Sequence, residues 1–169
     1  PKTARNGLTK GNVMNENNIL EIKDLSVIYK TDLETVKAVN GINIAIKKKS
    51  TFGLVGETGA GKTTTARSII RLLPSVGHVT SGTIEFEDRN LLELPEAEMR
   101  LFRGDKIAMV FQDPMTSLNP VMSVGDQIAE TIKIHNPELD KAEVGRRVEA
   151  TLAMVGILPS RKVEYPHQF

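Results

Sequence analysis

Thr51-Phe-Gly-Leu-Val-Gly56-Glu-Thr-Gly-Ala-Gly61-Lys62-Thr63-Thr64 is the stretch around which the rest of the chain is read. Phe52 to Val55 is a short apolar run and reads as a buried strand. A glycine-rich turn follows, and then a helical apolar pattern at Ala66, Ile69, Ile70 and Leu73. Gly56 to Thr63 fits G-x-x-x-x-G-K-[ST], with the strand before it and the helix after it that a phosphate-binding loop requires. Glycines let backbone N–H groups turn inward around phosphate oxygens without Cβ clashes. A helix starting near Gly61 aims the positive end of its dipole at the same anion. The expected cradle is therefore Gly56, Glu57, Thr58, Gly59, Ala60 and Gly61, continuing into Lys62, Thr63 and Thr64. Lys62 is expected to reach the β- and γ-phosphates and the Thr63 hydroxyl to ligate Mg²⁺. Glu57 would oppose phosphate if it faced inward, so its side chain is expected to point out.

With 169 residues the chain suits one domain, or one domain and a lobe. Its apolar share of 40% and charged share of 25% are ordinary for a water-soluble fold. A net charge of +1 gives no strong pull toward nucleic acid or an acidic membrane surface. The absence of cysteine leaves no disulfide framework and fits a reducing compartment. No apolar stretch is long enough to span a bilayer, and the polar first residues lack the apolar segment of a secretory signal. Residues 1–18 are rich in Asn, Lys, Thr and Gly and read as a flexible tail, those before Met14 as an appended remnant.

Ile19 to Lys30 alternates as a strand, with a slip near Asp24. Thr31 to Thr35 reads as a polar loop. Val36 to Val39, Asn40-Gly41 and then Ile42, Ile44 and Ile46 read as strand, turn and strand. Lys47-Lys48-Lys49 reads as a solvated turn. Pro74 is expected to end the helix after the phosphate loop, and Ser75 to Ser81 to be a loop. Thr83 to Glu87 reads as an antiparallel strand. Pro95 suits the start of a short helix, Glu96 to Arg103, closed by Gly104. Ile107 to Phe111 is an apolar run that suits a strand buried on both faces. Beyond Pro120 the period changes. Ser123 with Asp126 caps one helix, with an apolar face of Val124, Ile128, Ala129 and Ile132. Asp140 with Glu143 opens a second, with a stripe of Val144, Val148, Leu152 and Val155 and with Gly156 past its end. His78, His135 and His167 have no metal-ligand spacing and read as surface or packing residues.

The loop alone does not separate kinases, GTPases, motor ATPases and transporter ATPases. The surrounding stretches do. Leu25-Ser-Val before an aromatic, Gly56-Glu-Thr-Gly-Ala-Gly-Lys-Thr, Val110-Phe-Gln112-Asp-Pro-Met-Thr-Ser-Leu-Asn119-Pro and Tyr165-Pro-His-Gln-Phe169 occur in that order. From Ile19 to Phe169 the chain resembles the ATP-binding subunit of an ABC transporter, most closely those of the bacterial oligopeptide/dipeptide import family. A phosphate-loop small-molecule kinase would carry nothing matching Gln112 to Pro120.

The resemblance implies an α/β fold, a P-loop NTPase of the ABC type. It would have an antiparallel β lobe, an incomplete RecA-like core and the start of a helical lobe. Residues 19–121 would form the β lobe and the phosphate-loop part of the core, and 122–169 the incomplete helical lobe. ATP and Mg²⁺ are the implied cofactors. Tyr29 matches the aromatic that stacks on adenine, and stacking needs little base specificity. Gln112 matches the glutamine that ligates Mg²⁺ and approaches the attacking water, so Gln112 and Lys62 are the implied catalytic residues. An amide suits that post because it can ligate through oxygen and donate a hydrogen bond without adding charge. Pro114 to Pro120 match the segment that touches the membrane-spanning permease, with Met115 and Leu118 as contact residues. Further implied partners are a second ATPase subunit and, indirectly, an extracytoplasmic solute-binding protein. The implied location is the cytoplasmic face of the membrane.

Phe169 falls where the family's signature motif begins. The Ser-Gly-Gly that follows it, the second Mg²⁺-organising Asp, the catalytic Glu and the switch His are not in these residues. A positioned base typically contributes roughly 10²–10⁴-fold to a rate, so this stretch is expected to bind nucleotide without turning it over. In the implied parallel core sheet, strands from beyond Phe169 lie between the phosphate-loop strand and the strand before Gln112. That sheet is therefore expected to stay open here, with exposed edges. Such a segment would rearrange, pair with a copy of itself, or originally carry the missing half.

Overall fold

The computed structural model describes residues 15–112 and 117–169. They fall into two compact units, one ending at Met99 and one spanning Arg100–Phe169.

The first unit is built on β1, Asn18–Lys30, where the alternating pattern predicted a strand. β1 lies inside a four-stranded antiparallel sheet with β2 (Thr35–Lys47), β3 (Gly77–Phe86) and β4 (Arg89–Asn90), in the order β2-β1-β3-β4. The expected slip is a β-bulge. Ile22 pairs with Ile44 and Leu25 with Ile42, so β1 spends one residue more than β2 over that step. The same excess appears against β3, between Lys23↔Thr83 and Ser26↔Ser81. Asp24 takes up the extra residue with φ +48°. Its N–H donates to Asn43 Oδ1 at 3.0 Å, which replaces a ladder bond, and Gly82 lies so close that a Cβ there would come within 2.6 Å of the Lys23 and Asp24 carbonyl oxygens. Because strand side chains alternate, one inserted residue exchanges the two faces. Leu20 and Ile22 are buried before the bulge, Leu25 and Val27 after it. Tyr29 shares the parity of Leu25 and Val27.

Several expected boundaries move. Asn40-Gly41 does not make a turn between two strands; β2 runs through it as one strand. Gly41 takes φ +62°, its N–H donates to Ser26 Oγ at 3.0 Å, and the register shifts there. Ser75 to Ser81 is not all loop: β3 begins at Gly77, held by pairing along the full second edge of β1. Glu87 and Asp88, both with positive φ, then turn the chain into β4.

The helix after the phosphate loop, α1 (Lys62–Ile69), ends before Pro74. Arg71 adopts φ +54°, and Leu72 N–H bonds back to the Arg67 carbonyl at 2.9 Å, a C-terminal closure made without glycine. Arg71 Nη1 holds that conformation by donating to the Leu91 and Leu94 carbonyls. The buried face of α1 also differs from the expected Ala66, Ile69, Ile70 and Leu73. Thr64, Thr65, Ser68 and Ile70 are the buried residues, and the three hydroxyls are all hydrogen-bonded.

Phe52 to Val55 and Ile107 to Phe111, both expected as buried strands, form none. Phe52 and Leu54 are about half exposed, Val55 is 93% and Val110 88% exposed, and the second run makes only one isolated bridge, Arg103↔Ile107. A central strand needs partners for its N–H and C=O groups on both edges. Among the described residues neither run has them.

α2 (Glu96–Asp105) follows Pro95 as expected. Its regular turns end before Arg103, and Gly104 takes φ +92°. In the second unit, α3 (Val124–His135) starts at Ser123, whose Oγ accepts the Asp126 N–H, and α4 (Lys141–Met154) starts at Asp140, whose carboxylate accepts the Glu143 N–H. Val144, Val148 and Leu152 form the core of this unit, with Val124, Ile128, Ala129, Ile132, Leu139 and Ile157 packed against them. Val155, expected in the stripe, is mostly exposed because it is the C-cap residue, where Gly156 (φ +77°) turns the chain away. Pro159 opens a 3₁₀ turn, Pro159–Val163.

Glu21 lies on the face of β1 opposite Leu20 and is nonetheless buried. It accepts from Asn18 Nδ2 at 2.7 Å and from the Asn15 N–H at 3.0 Å, and it pairs with Lys23 Nζ at 3.0 Å. The Asn18 side chain, then the Asn15 backbone, then Lys23 hold its pKa down to about 2. A depressed carboxylate pKa adds stability above the unfolded-state value, and that stability is lost as pH falls toward the folded-state value. The urea midpoint of the chain should therefore fall from about pH 4.5 down to about 2. In Glu21→Gln that acid slope should be shallower; an unchanged slope would show that Glu21 does not carry it.

Candidate functional site

The phosphate loop leaves β2 after the solvated Lys47-Lys48-Lys49 corner and crosses residues 51–60 without regular structure, exposed throughout. A tight turn, with the Ala60 N–H on the Glu57 carbonyl at 3.1 Å and Gly59 at φ +84°, brings it to α1. Gly61 is the N-cap, at φ +81°, and no side chain caps the helix start. The first N–H groups of α1 are left without a side-chain acceptor, which is the feature an anion exploits. Gly61 also passes so close to β2 that a Cβ would stand 2.4 Å from the Ala38 carbonyl oxygen. The second glycine of the motif is thus required twice, by its left-handed backbone and by contact with the sheet.

Lys62 folds back over the loop, and its ammonium donates to the Gly56 and Glu57 carbonyl oxygens. Carbonyls attract the ammonium less than phosphate oxygens carrying full charge, so this arrangement holds the lysine at the loop in exchangeable contacts. Glu57 and Thr58 are exposed. Thr63 is exposed at the first turn of α1, while Thr64 and Thr65 turn inward. Thr65 Oγ1 donates to the Gly61 carbonyl at 3.0 Å and pins the loop to the helix.

Tyr29 is half-buried near the end of β1, with its hydroxyl 2.9 Å from Thr64 Oγ1. The loop residues and Tyr29 therefore come together in one unit. Gln112 belongs to the second unit and is exposed. Of the segment 114–120, Met115 lies outside the described residues. Leu118 is half-buried, and Asn119 is tied to α3 by reciprocal bonds with Gln127 of 2.9 and 3.0 Å.

The histidines stay apart: His78 is on β3 opposite Ile28, His135 abuts Gly104, and His167 stacks on Tyr165. Among the described residues no group of three His, Cys, Asp or Glu could hold a metal ion. Sequence reasoning missed two residues that shape the site, Arg71 at the end of α1 and Gly77 beside the Tyr29 ring. The glycine was visible in the sequence, but the strand it opens was read as loop.

The chain matches the ABC transporter family over residues 39–169. It is 42% identical over 154 residues to the oligopeptide transport ATP-binding protein OppD of Bacillus subtilis, which covers 89% of this chain and 43% of that protein. It is 40% identical over 159 residues to the dipeptide transport ATP-binding protein DppD of Lactococcus lactis, covering 92% of this chain and 45% of that protein. The chain thus spans somewhat under half the length of these relatives. Among solved structures, the dimeric bacterial ABC transporter cassette MJ0796 aligns with a TM-score of 0.76 at 22% identity, over 89% of this chain and 62% of that one, a likeness of fold.

Alanine at Gly59 should cost about 1–2 kcal/mol, for its left-handed backbone alone, since nothing lies within 4 Å of its Cβ position. Gly61→Ala adds a collision with β2 and should cost about 3 kcal/mol or more in urea unfolding. Equal costs at the two positions would remove the close approach to Ala38 as the reason for Gly61.

Proposed function

The chain belongs to the ABC transporter family, and from that premise we propose that it is the ATP-binding portion of an ATPase that powers import of peptides or related small solutes. The observation that carries this reading is the loop from Gly56 to Thr63: an uncapped helix start, a glycine seated against β2, and a lysine held over the loop by carbonyls alone. Its relatives include oligopeptide and dipeptide transport ATP-binding proteins, which supports the solute class.

In this reading the loop N–H groups and Lys62 bind the phosphates and the Tyr29 ring takes the adenine. Thr63, exposed at the helix start, and Gln112, an exposed amide, are the side chains that would hold Mg²⁺, whose charge offsets that of the triphosphate. Lys62 exchanges two carbonyls for phosphate oxygens without crossing a large distance, because it already sits at the loop. Residues 19–121 carry the nucleotide and 122–169 begin the helical lobe.

In the full-length protein, two such subunits would enclose two ATP molecules at the cytoplasmic face of the membrane. The stretch from Met115 to Pro120 would face the permease, and the solute-binding protein would act through the permease. Among the described residues no helix is long and apolar enough to cross a membrane.

For the 169 residues themselves the reading is nucleotide binding without turnover. Titration with Mg-ATP should give binding that Lys62→Ala weakens by about 10- to 100-fold, the worth of hydrogen bonds from a charged group. A parallel assay should detect no phosphate release from either protein. Binding that ignores Lys62→Ala would overturn the site, and Lys62-dependent release would overturn the absence of turnover.

A further inference from the structure

The hydrogen bond between Tyr29 Oη and Thr64 Oγ1, 2.9 Å long, joins the end of β1 to the first turn of α1. Thr64 is 7% exposed, its hydroxyl faces Tyr29, and its carbonyl accepts Ser68 Oγ at 2.7 Å. Its neighbour Thr63 is exposed. On another side the ring meets Gly77, where a Cβ would come within 2.9 Å of Tyr29 Cε1. Gly77 is itself fixed by pairing with Tyr29 and by its N–H on the Pro74 carbonyl at 2.8 Å. A half-buried tyrosine on a strand end has several rotamers open to it. Here the hydroxyl is bonded to one element and the ring edge lies against another.

We propose that Thr64 is a positioning residue for the Tyr29 ring rather than a phosphate ligand, so that base platform and phosphate loop are set as one piece. This rests on the nucleotide-binding reading above. The loop motif places Thr64 beside the phosphates, but the structure turns its hydroxyl inward and leaves that role to backbone N–H groups, Lys62 and Thr63. Movement of the first turn of α1 is then transmitted through one hydrogen bond to the aromatic ring. Thr64 thereby acts on the part of the affinity that depends on the base.

The chain has two tyrosines and no tryptophan, so in a Tyr165→Phe background Tyr29 dominates the emission. In that background, Thr64→Val, Thr64→Ser, Tyr29→Phe and the Thr64→Val/Tyr29→Phe double variant are titrated calorimetrically with Mg-ATP and with inorganic tripolyphosphate. Losing one hydrogen bond should weaken ATP binding in Thr64→Val by about three- to tenfold and leave tripolyphosphate within about twofold. Thr64→Ser should restore ATP affinity. The double variant should be no weaker than either single one, because both remove the same bond. Tyr29 emission should already differ in Thr64→Val before nucleotide is added. Equal losses for ATP and tripolyphosphate would make Thr64 a phosphate ligand and overturn the proposal. A folded Thr64→Val, by circular dichroism, that binds both like the parent would overturn it alone. A parent that binds no ATP would remove the nucleotide reading, and this proposal with it.

Discussion

The extra residue at Asp24 is the constraint on which the first unit depends. β1 supplies four of its buried apolar residues and Tyr29 of the site, and a regular strand alternates its side chains. Leu20 and Ile22 on one parity and Leu25, Val27 and Tyr29 on the other can serve one face only if the strand slips once between them. The slip leaves a backbone N–H out of the ladder, and Asn43 accepts it. It also crowds β3, which only Gly82 tolerates at that point. Without the bulge, Tyr29 would leave the sheet on the side opposite Leu20 and could not meet Thr64.

The phosphate loop depends on the sheet in turn. Gly61 is pressed against the Ala38 carbonyl of β2, and Thr64 is tied to β1. Thr65 binds the loop back onto the helix. The loop is exposed from Thr51 to Ala60, yet its exit into α1 is fixed from two strands. The hydroxyls on the buried face of α1 are all satisfied: Thr64 by the Tyr29 hydroxyl of β1, Thr65 by the Gly61 carbonyl and Ser68 by the Thr64 carbonyl, as buried polar groups require. Lys62 is held on the loop by the Gly56 and Glu57 carbonyls.

Much of this was legible in the chain. The glycine-rich loop leading into a helix, β1 with its slip, both caps of the second unit and the stripe of Val144, Val148 and Leu152 are local signals, and local chemistry decided them. Helix caps need only residues three apart, and a stripe needs only its period. The failures have a common cause. Phe52 to Val55 and Ile107 to Phe111 have the composition of central strands, but a strand exists only where neighbouring chain completes its ladder. Val155 had the right period but sat at the turn. Asn40-Gly41 had turn chemistry, yet long-range pairing with β1 drew it into a bulged strand. The burial of Glu21 was not legible, because two of its partners, Asn15 and Asn18, lie before and at the first residue of β1, where periodicity carries no information.

Residue type and spacing alone carry the glycine-rich loop, the lysine and threonine in fixed order before a helix, and the stretches that mark the ABC transporter family. Folding alters neither. Orientation came from the fold. It showed that Thr63 faces solvent while Thr64 turns to Tyr29, that Gly61 is required by contact with β2, and that the apolar run before the loop lies open. The reason is physical: spacing fixes which groups are near along the chain, whereas ladder pairing and close packing fix which way each one points.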